Sequence, residues 1–445
     1  LQIPGMNLRH SYTLLPPATT VSNNSSTNSS TNSSTKTQYQ NTVPTTTQYQ
    51  NTVPTTTQYQ QSVLTVLTQP RHNIQGWTKT TSRELKLLDS AATKIMVNLS
   101  VNGFGRIGRL VTRLIVENQS ASSPIHLVHV NEMHGDATTS AYLLQFDSTH
   151  GRWPNHECTA PDPHTILITN TTTQTNHSIR FSNEADPAAL DLTDVDMVVE
   201  CTGVLKTRAL LAPLLSKVQK IIVSAPMKEE VPNVVMGVNH SIYRPDQHAI
   251  VTAASCTTNA IAPVVKVLHE HIGIKHGMIT TIHNTTNTQC AIDTAWPGKK
   301  EIRRTRSAGC NLIPTTTGSA KAITQIFPEL KGLLDGRAVR TPMTVGGSIV
   351  DAVFEMKGEV TVEQINALMQ QCSENGELVG ILGYEDRPLV STDYNNDSRS
   401  GIVDGGSTMV INKTMLKMYV WYDNEWGYSC RMWDLIQMVV KGGSV

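Results

Sequence analysis

With 36 basic and 36 acidic residues in 445, the chain carries no formal net charge, so no basic field marks it for nucleic acid and no polybasic patch marks it for a membrane surface. No apolar run approaches the roughly 18 residues that a spanning helix needs. Seven cysteines (Cys158, Cys201, Cys256, Cys290, Cys310, Cys372 and Cys430) form no C-x-x-C pair; an odd, scattered set argues against a disulfide framework or a zinc site and predicts a soluble protein of a reducing, intracellular compartment.

The first 95 residues do not read as a folded domain. Asn-Ser-Ser-Thr recurs three times between Asn24 and Thr35, and Gln38–Thr47 is repeated as Gln48–Thr57. Too few apolar groups are present to offset chain entropy, so residues 1–95 are expected to form a disordered, low-complexity extension. Over residues 1–90 only Glu84 and Asp89 are acidic, against six Lys or Arg. That bias suits an organelle transit peptide. The competing expectation is upstream sequence read into the chain, since it starts at Leu1 and Met96 directly precedes the first strand pattern.

From Met96 the texture changes. Val97, Leu99 and Val101 alternate as a strand, Asn102–Gly108 makes a glycine turn, and Ile107, Leu110, Val111, Leu114 and Ile115 mark one helical face. A second apolar run, Ile125–Val130, ends in Asn131-Glu132. A glycine turn after a strand, opening a helix and answered by an acid at the end of the next strand, is the context that dinucleotide binding requires. Gly103 permits the tight turn, Gly105 lets the backbone approach a pyrophosphate, and Gly108 lets helix and strand pack closely. Glu132 is positioned to accept hydrogen bonds from the adenosine ribose and to repel a 2′-phosphate, which favours NAD over NADP. Further strand-like runs at Val195–Cys201 and Lys220–Ser224 flank a helical stretch around Leu205–Leu215. Strands alternating with helices predict an α/β, Rossmann-type, doubly wound parallel sheet over 96–255.

Ser255-Cys256-Thr257-Thr258-Asn259 places one cysteine where a helical pattern begins, with Ile261, Val264, Val265, Leu268 and Ile272 at helical spacing. A thiol at a helix N-terminus is where a thiolate is favoured, and His283, closing the β-like run Thr280–His283, is the candidate base. The expected pair is a thiolate facing an imidazolium. Later strand-like runs at 276–283, 337–343, 348–356 and 416–422 and helices near 318–331 and 361–373 predict an α+β catalytic domain with a mixed sheet over 256–423. Met432, Leu435, Ile436, Val439 and Val440 predict a closing helix within 424–445 that packs on the first domain.

These motifs, Asn102–Gly108 (N-G-F-G-R-I-G), Ser255–Asn259 (S-C-T-T-N), Thr315–Ala320 (T-T-T-G-S-A) and Trp421–Tyr428 (W-Y-D-N-E-W-G-Y), resemble those of the phosphorylating glyceraldehyde-3-phosphate dehydrogenases. The resemblance runs from about Val97 to the C-terminus. Leu143–Trp153, His276–His283 and Ile381–Ser391 most resemble the branch found beside arsenic-resistance genes. The resemblance implies Cys256 as nucleophile, His283 as general base, and Ser255, Thr257, Thr286, Arg304, Thr317, Gly318 and Arg340 as contacts to substrate phosphate and inorganic anion. It also implies Arg106 and Ile107 beside the pyrophosphate and adenosine, and Thr202, Gly203 and Ser224 lining the cofactor cleft. Asn424 would hold the nicotinamide carboxamide, with Tyr428 nearby. No metal is implied. A cytoplasmic homotetramer is.

The implied reaction oxidises glyceraldehyde 3-phosphate through a Cys256 thioester that phosphate, or arsenate, cleaves to 1,3-bisphosphoglycerate or 1-arseno-3-phosphoglycerate. Two alternatives stay open: erythrose-4-phosphate dehydrogenase on the same scaffold, and a non-catalytic protein using Cys256 as a redox switch. Because the compositional break falls near Met96, deletion of residues 1–94 is expected to leave activity and melting temperature almost unchanged. A large loss of active protein on truncation would refute that boundary.

Overall fold

The computed structural model describes residues 96–119, 123–295, 301–342 and 346–443; the low-complexity segment, and the disorder expected of it, lie outside the described residues. Strand β1 (Val97–Asn102) is buried on both faces from Leu99 to Asn102, as a central strand covered by helices on either side must be. It pairs in parallel with β2 (Ile125–Asn131) on one edge and with β6 (Met197–Glu200) on the other. Beyond β6 follow β7 (Lys220–Val223) and β8 (Ile250–Thr252), also parallel. Beyond β2 lie β5 (Asn176–Ser182), parallel, and then β4 (Thr165–Asn170) and β3 (His156–Asp162), antiparallel.

The sheet order β3-β4-β5-β2-β1-β6-β7-β8 winds outward from β1 in two directions. A crevice therefore opens at the carboxyl ends of β1 and β6, where such sheets bind ligands. The parallel core matches the doubly wound sheet read from the sequence. The antiparallel β3-β4 edge was not foreseen, because Thr- and Asn-rich stretches mask its alternation; Ile166, Ile168, Ile179 and Phe181 bury one side of it.

Helix α1 (Arg106–Glu117) follows the glycine turn. Helix α2 (Ala137–Gln145) is capped by Asp136, whose carboxylate accepts from Thr139 N, and α3 (Arg208–Leu215) by Thr207, which accepts from Leu210 N. These short polar side chains satisfy amides that a helix start leaves unpaired.

The second sheet has the order β10-β11-β9-β12-β15-β14-β13, with β9 (Ile274–His283), β10 (Ile313–Thr316), β11 (Leu334–Arg340), β12 (Ser348–Met356), β13 (Leu382–Glu385), β14 (Gly401–Ile411) and β15 (Met415–Tyr422). It is mixed: β9-β11 and β13-β14 are parallel and the other pairs antiparallel. Helices α4 (Cys256–His271), α5 (Ser319–Ile326) and α6 (Val362–Glu374) share its core: Ile261, Val265 and Leu268 of α4 pack with Ile323, Ile365, Ala352 and Val420. Among the described residues no helix is long and apolar enough to cross a membrane.

Helix α7 (Trp426–Val440) returns to the first sheet. Its Met432, Leu435, Ile436 and Val439 join Val111, Leu114 and Ile115 of α1 in one cluster. Met432 is 0% exposed, so Met432→Ala is expected to remove about 2–5 kcal/mol, read as a lower urea midpoint. An unchanged midpoint would mean that α7 adds little to this core.

Candidate active site

Gly103 has a φ of +92°, and a Cβ there would lie 2.5 Å from Thr202 N. At Gly108 a Cβ would sit 2.1 Å from Gly103 O, so turn and helix touch through bare backbone. Gly105, the N-cap of α1, meets nothing within 4 Å of a Cβ position. Its backbone faces open space at a helix N-terminus, a cradle suited to a pyrophosphate.

Glu132 reaches over this turn. Its carboxylate accepts from Phe104 N at 2.8 Å and His134 N at 2.9 Å. Glu200, ending β6, is 1% exposed and accepts from Asn102 Nδ2 at 2.6 Å, Thr202 N at 2.8 Å and Thr202 Oγ1. Burial pushes its carboxyl up, opposed by those donors. Gly203 follows at a φ of +68°, and Ser224 N donates to Glu200 O at 2.9 Å. Thr202 and Gly203 thus follow the end of β6 beside β1, and Ser224 follows the end of β7 next to it. Ile107 packs against the first core. The Arg106 guanidinium is engaged by Asp147 and Glu425, which leaves its helix-starting backbone, rather than its charge, for a phosphate.

Cys256 heads α4, where Ser255 is the N-cap and accepts from Thr258 N. The preceding Ala254 has a φ of +54°, a conformation that costs a non-glycine residue energy and is concentrated at functional sites. Cys256 Sγ lies 3.7 Å from His283 Nε2. Burial pushes the Cys256 thiol up, opposed chiefly by the charge of Arg340. Burial and Arg340 together hold His283 down to about 3. Burial thus opposes both charges of the expected thiolate–imidazolium pair, while the positive charge of Arg340 favours the thiolate and disfavours the imidazolium.

Two contacts compete at the far ring nitrogen. His283 Nδ1 is 2.8 Å from Asn284 O and 2.6 Å from Arg340 Nη1. A protonated Nδ1 donates to Asn284 O and leaves a lone pair on Nε2 facing the thiol; an unprotonated Nδ1 accepts from Arg340 and puts the proton on Nε2. Base chemistry at Nε2 needs the first tautomer, which an anion drawing Arg340 off the ring would favour.

Two hydroxyl-rich clusters flank the pair. In one, Ser255 Oγ is 2.7 Å from Thr258 Oγ1 and 3.5 Å from Ser319 Oγ, with Thr317 Oγ1 donating to Ser319 Oγ at 3.2 Å and Gly318 as the N-cap of α5. In the other, Thr286 Oγ1 is 2.8 Å from Thr288 Oγ1, which accepts from Arg304 Nη1 at 3.0 Å. Arg304 also pairs with Glu301 at 2.7 Å. Thr257 belongs to neither cluster: it is 4% exposed and its hydroxyl lies 2.9 Å from Tyr422 Oη.

Tyr422 Oη is also 2.8 Å from Thr281 Oγ1, and its ring meets His283 edge-on at 6.1 Å. Ser348 Oγ donates to Asn424 Oδ1 at 2.8 Å and accepts from Asn284 N at 3.1 Å, which leaves the Asn424 amide nitrogen to donate. Tyr428 Oη donates to Ala254 O at 3.2 Å. Glu200, Glu301 and Ser348 carry no local motif and were missed in the sequence, and Tyr422, though inside the Trp421–Tyr428 motif, was given no role there; the signal for Glu200 was its place at a strand end opposite the glycine turn. Among the described residues, no group of three or more His, Cys, Asp or Glu could hold a metal ion.

A dinucleotide cradle at a strand-order reversal, joined to a domain that presents a cysteine–histidine pair between two anion-ready clusters, defines a dinucleotide-dependent oxidoreductase of the thiol type. Residues 97–208 match the model of the glyceraldehyde 3-phosphate dehydrogenase NAD-binding domain, and residues 255–424 that of its C-terminal domain. The chain is 50% identical over 347 residues to glyceraldehyde-3-phosphate dehydrogenase 3 of Nostoc sp., covering 77% of this chain and 98% of that protein. It is 45% identical over 351 residues to glyceraldehyde-3-phosphate dehydrogenase 1 of Bacillus cereus, covering 78% and 100%. With the enzyme of Geobacillus stearothermophilus it shares 45% over 350 residues, covering 78% and 99%. The chain belongs to the glyceraldehyde-3-phosphate dehydrogenase family, and NAD is its cofactor.

Glu132→Ala is expected to weaken NAD binding by roughly ten- to a hundredfold, the worth of one charge-assisted pair, and to raise relative use of NADP. An unchanged NAD/NADP ratio in a binding titration would assign the ribose to another residue.

Proposed function

We propose that the chain oxidises glyceraldehyde 3-phosphate with NAD and releases the product as an acyl phosphate, as the names of its relatives suggest. The observation that carries this reading is the 3.7 Å approach of Cys256 Sγ to His283 Nε2 at the head of α4, between clusters that can each hold an anion. Cys256 forms the S–C bond to the aldehyde carbon as its proton passes to His283 Nε2 and on to the new oxyanion. Nε2 then takes that hydroxyl proton back while the C–H electron pair leaves as hydride, giving the thioester. NAD, when bound, supplies the acceptor for that hydride. Attack by inorganic phosphate breaks the C–S bond and returns its electron pair to Cys256.

Arg340, Thr286 and Arg304 suit one phosphate, and Ser255, Thr317 and Gly318 the other, since arginine and hydroxyl donors match phosphate oxygens. Asn424 holds the carboxamide and Tyr428 backs the nicotinamide end. Arsenate has the same shape and charge as phosphate, so the arsenic-linked reading predicts turnover at least as fast with arsenate at matched limiting concentrations.

The domain bounds that serve this chemistry are 96–255, 256–423 and 424–445. We place the enzyme in the cytoplasm, in keeping with its seven free cysteines. A homotetramer is supported by the outer face of the second sheet, where Met278 (73% exposed) pairs with Val353 and Ile282 (37%) with Ile349.

His283→Asn is expected to slow the hydride step about 10²–10⁴-fold, while Cys256→Ser retains NAD binding but forms no acyl-enzyme. The two losses should not add, since both residues serve one step. A near-normal single-turnover rate in either variant would overturn the assignment.

A further inference from the structure

One buried charged cluster lies outside the reacting pair. The side chain of His150, on the loop after α2, is 1% exposed. Its Nε2 lies 3.0 Å from Glu425 Oε2, and its Nδ1 lies 2.6 Å from Asn396 Oδ1 and 4.0 Å from Asp423 Oδ2. The Trp426 ring is 6.2 Å away. Glu425 also accepts from Arg106 Nη2 at 2.6 Å, and Arg106 pairs with Asp147 on the same loop as His150. Asp423 accepts from Glu425 N, Trp426 N and Asn396 N at 2.8–2.9 Å. Arg106 is the first residue of α1, the helix that cradles the pyrophosphate. Asn424 stands between the two carboxylates that His150 faces.

We infer that His150 is a positioning residue for NAD: in its protonated form it bridges Glu425 and Asp423 and so fixes Asn424 at the distance from α1 that the nicotinamide end requires. The inference rests on the assignment of Asn424 to the carboxamide. The groups facing the ring are Asp423 and Glu425 from the β15–α7 junction and Asn396 from the loop before β14; Asp147, on the ring's own loop, accepts from His150 N and pairs with Arg106 behind Glu425. With a neutral ring, Asp147 and Glu425 share the Arg106 guanidinium and Asp423 is held by backbone N–H donors, which leaves an excess of negative charge. A charged ring relieves that excess. Burial disfavours the charged ring, but Glu425, Asp423 and Asn396 outweigh it and raise the His150 pKa. The clasp is therefore complete below the ordinary imidazole value of about 6.5 and loosens as pH rises through the raised one.

The test compares NAD with ADP-ribose, which keeps the pyrophosphate but lacks the carboxamide, on the full chain carrying Cys256→Ser to remove the titrating thiol. Dissociation constants are measured by calorimetry between about pH 6 and pH 9, the range over which a raised imidazole titrates. The Kd of NAD is expected to rise by about fivefold or more, the lower end of typical coupling, while that of ADP-ribose stays level. His150→Gln should bind NAD with a flat profile and ADP-ribose as the parent does. Equal pH dependence for both ligands in the parent overturns the inference without any His150 variant having to fold. A parent-like NAD profile in His150→Gln overturns it too. Should Asn424→Ala leave NAD affinity unchanged, the carboxamide assignment fails instead, and a surviving pH difference in the parent would then refute His150's route through Asn424.

Discussion

The turn from Ala253 to Asn259 is the constraint on which the two halves of the molecule depend. It ends the first sheet at β8 and starts α4, whose body is core to the second sheet. Asn259 Nδ2 donates to Ala253 O at 2.7 Å and to Ser255 O at 2.9 Å, closing the turn over itself. Ala254 is held in the left-handed region, and Tyr428 of α7 donates to its carbonyl. The reacting sulfur thus sits at a point fixed by elements of both cores, and local strain is tolerated because so many bonds surround it.

Electrostatics sets the tone of the cleft. Arg340 opposes the burial that raises the thiol and joins the burial that lowers His283. Arg304 is held by Glu301, whose carboxyl is lowered to about 2 by the donors of Thr315 and Thr316 and the charge of Arg304, against its burial. Arg304 is thus already paired with an internal carboxylate, so an anion binding there under the proposed function would exchange partners with Glu301.

Much of this was legible in the sequence because it is local. The glycine turn, its following helix and Glu132 form within a few dozen residues, and Cys256 at a helix start can be read from spacing alone. The second sheet was harder. Strands β10, β13 and β14 are short or interrupted by Gly405-Gly406, so period-2 alternation is weak there. What the sequence could not express is the cross-chain pairing: Arg106 with Glu425, Thr257 with Tyr422, Asn284 with Asn424 through Ser348. Each joins residues far apart in the chain, and each decides where a functional atom points. The burial and the nearness of Arg340 that bear on the ionisation of Cys256 and His283 are likewise tertiary facts.

Tyr422 links the helix bearing the sulfur to the strand bearing the imidazole through Thr257 and Thr281, and none of these three belongs to either anion cluster. In the proposed function the phosphate contacts lie mostly on the loops carrying Thr286, Arg304 and Thr317. The proton-transfer distance is thereby insulated from changes in those loops. A lineage could drift from one phosphorylated aldehyde, or one oxyanion, to another by loop replacement while inheriting the chemistry intact.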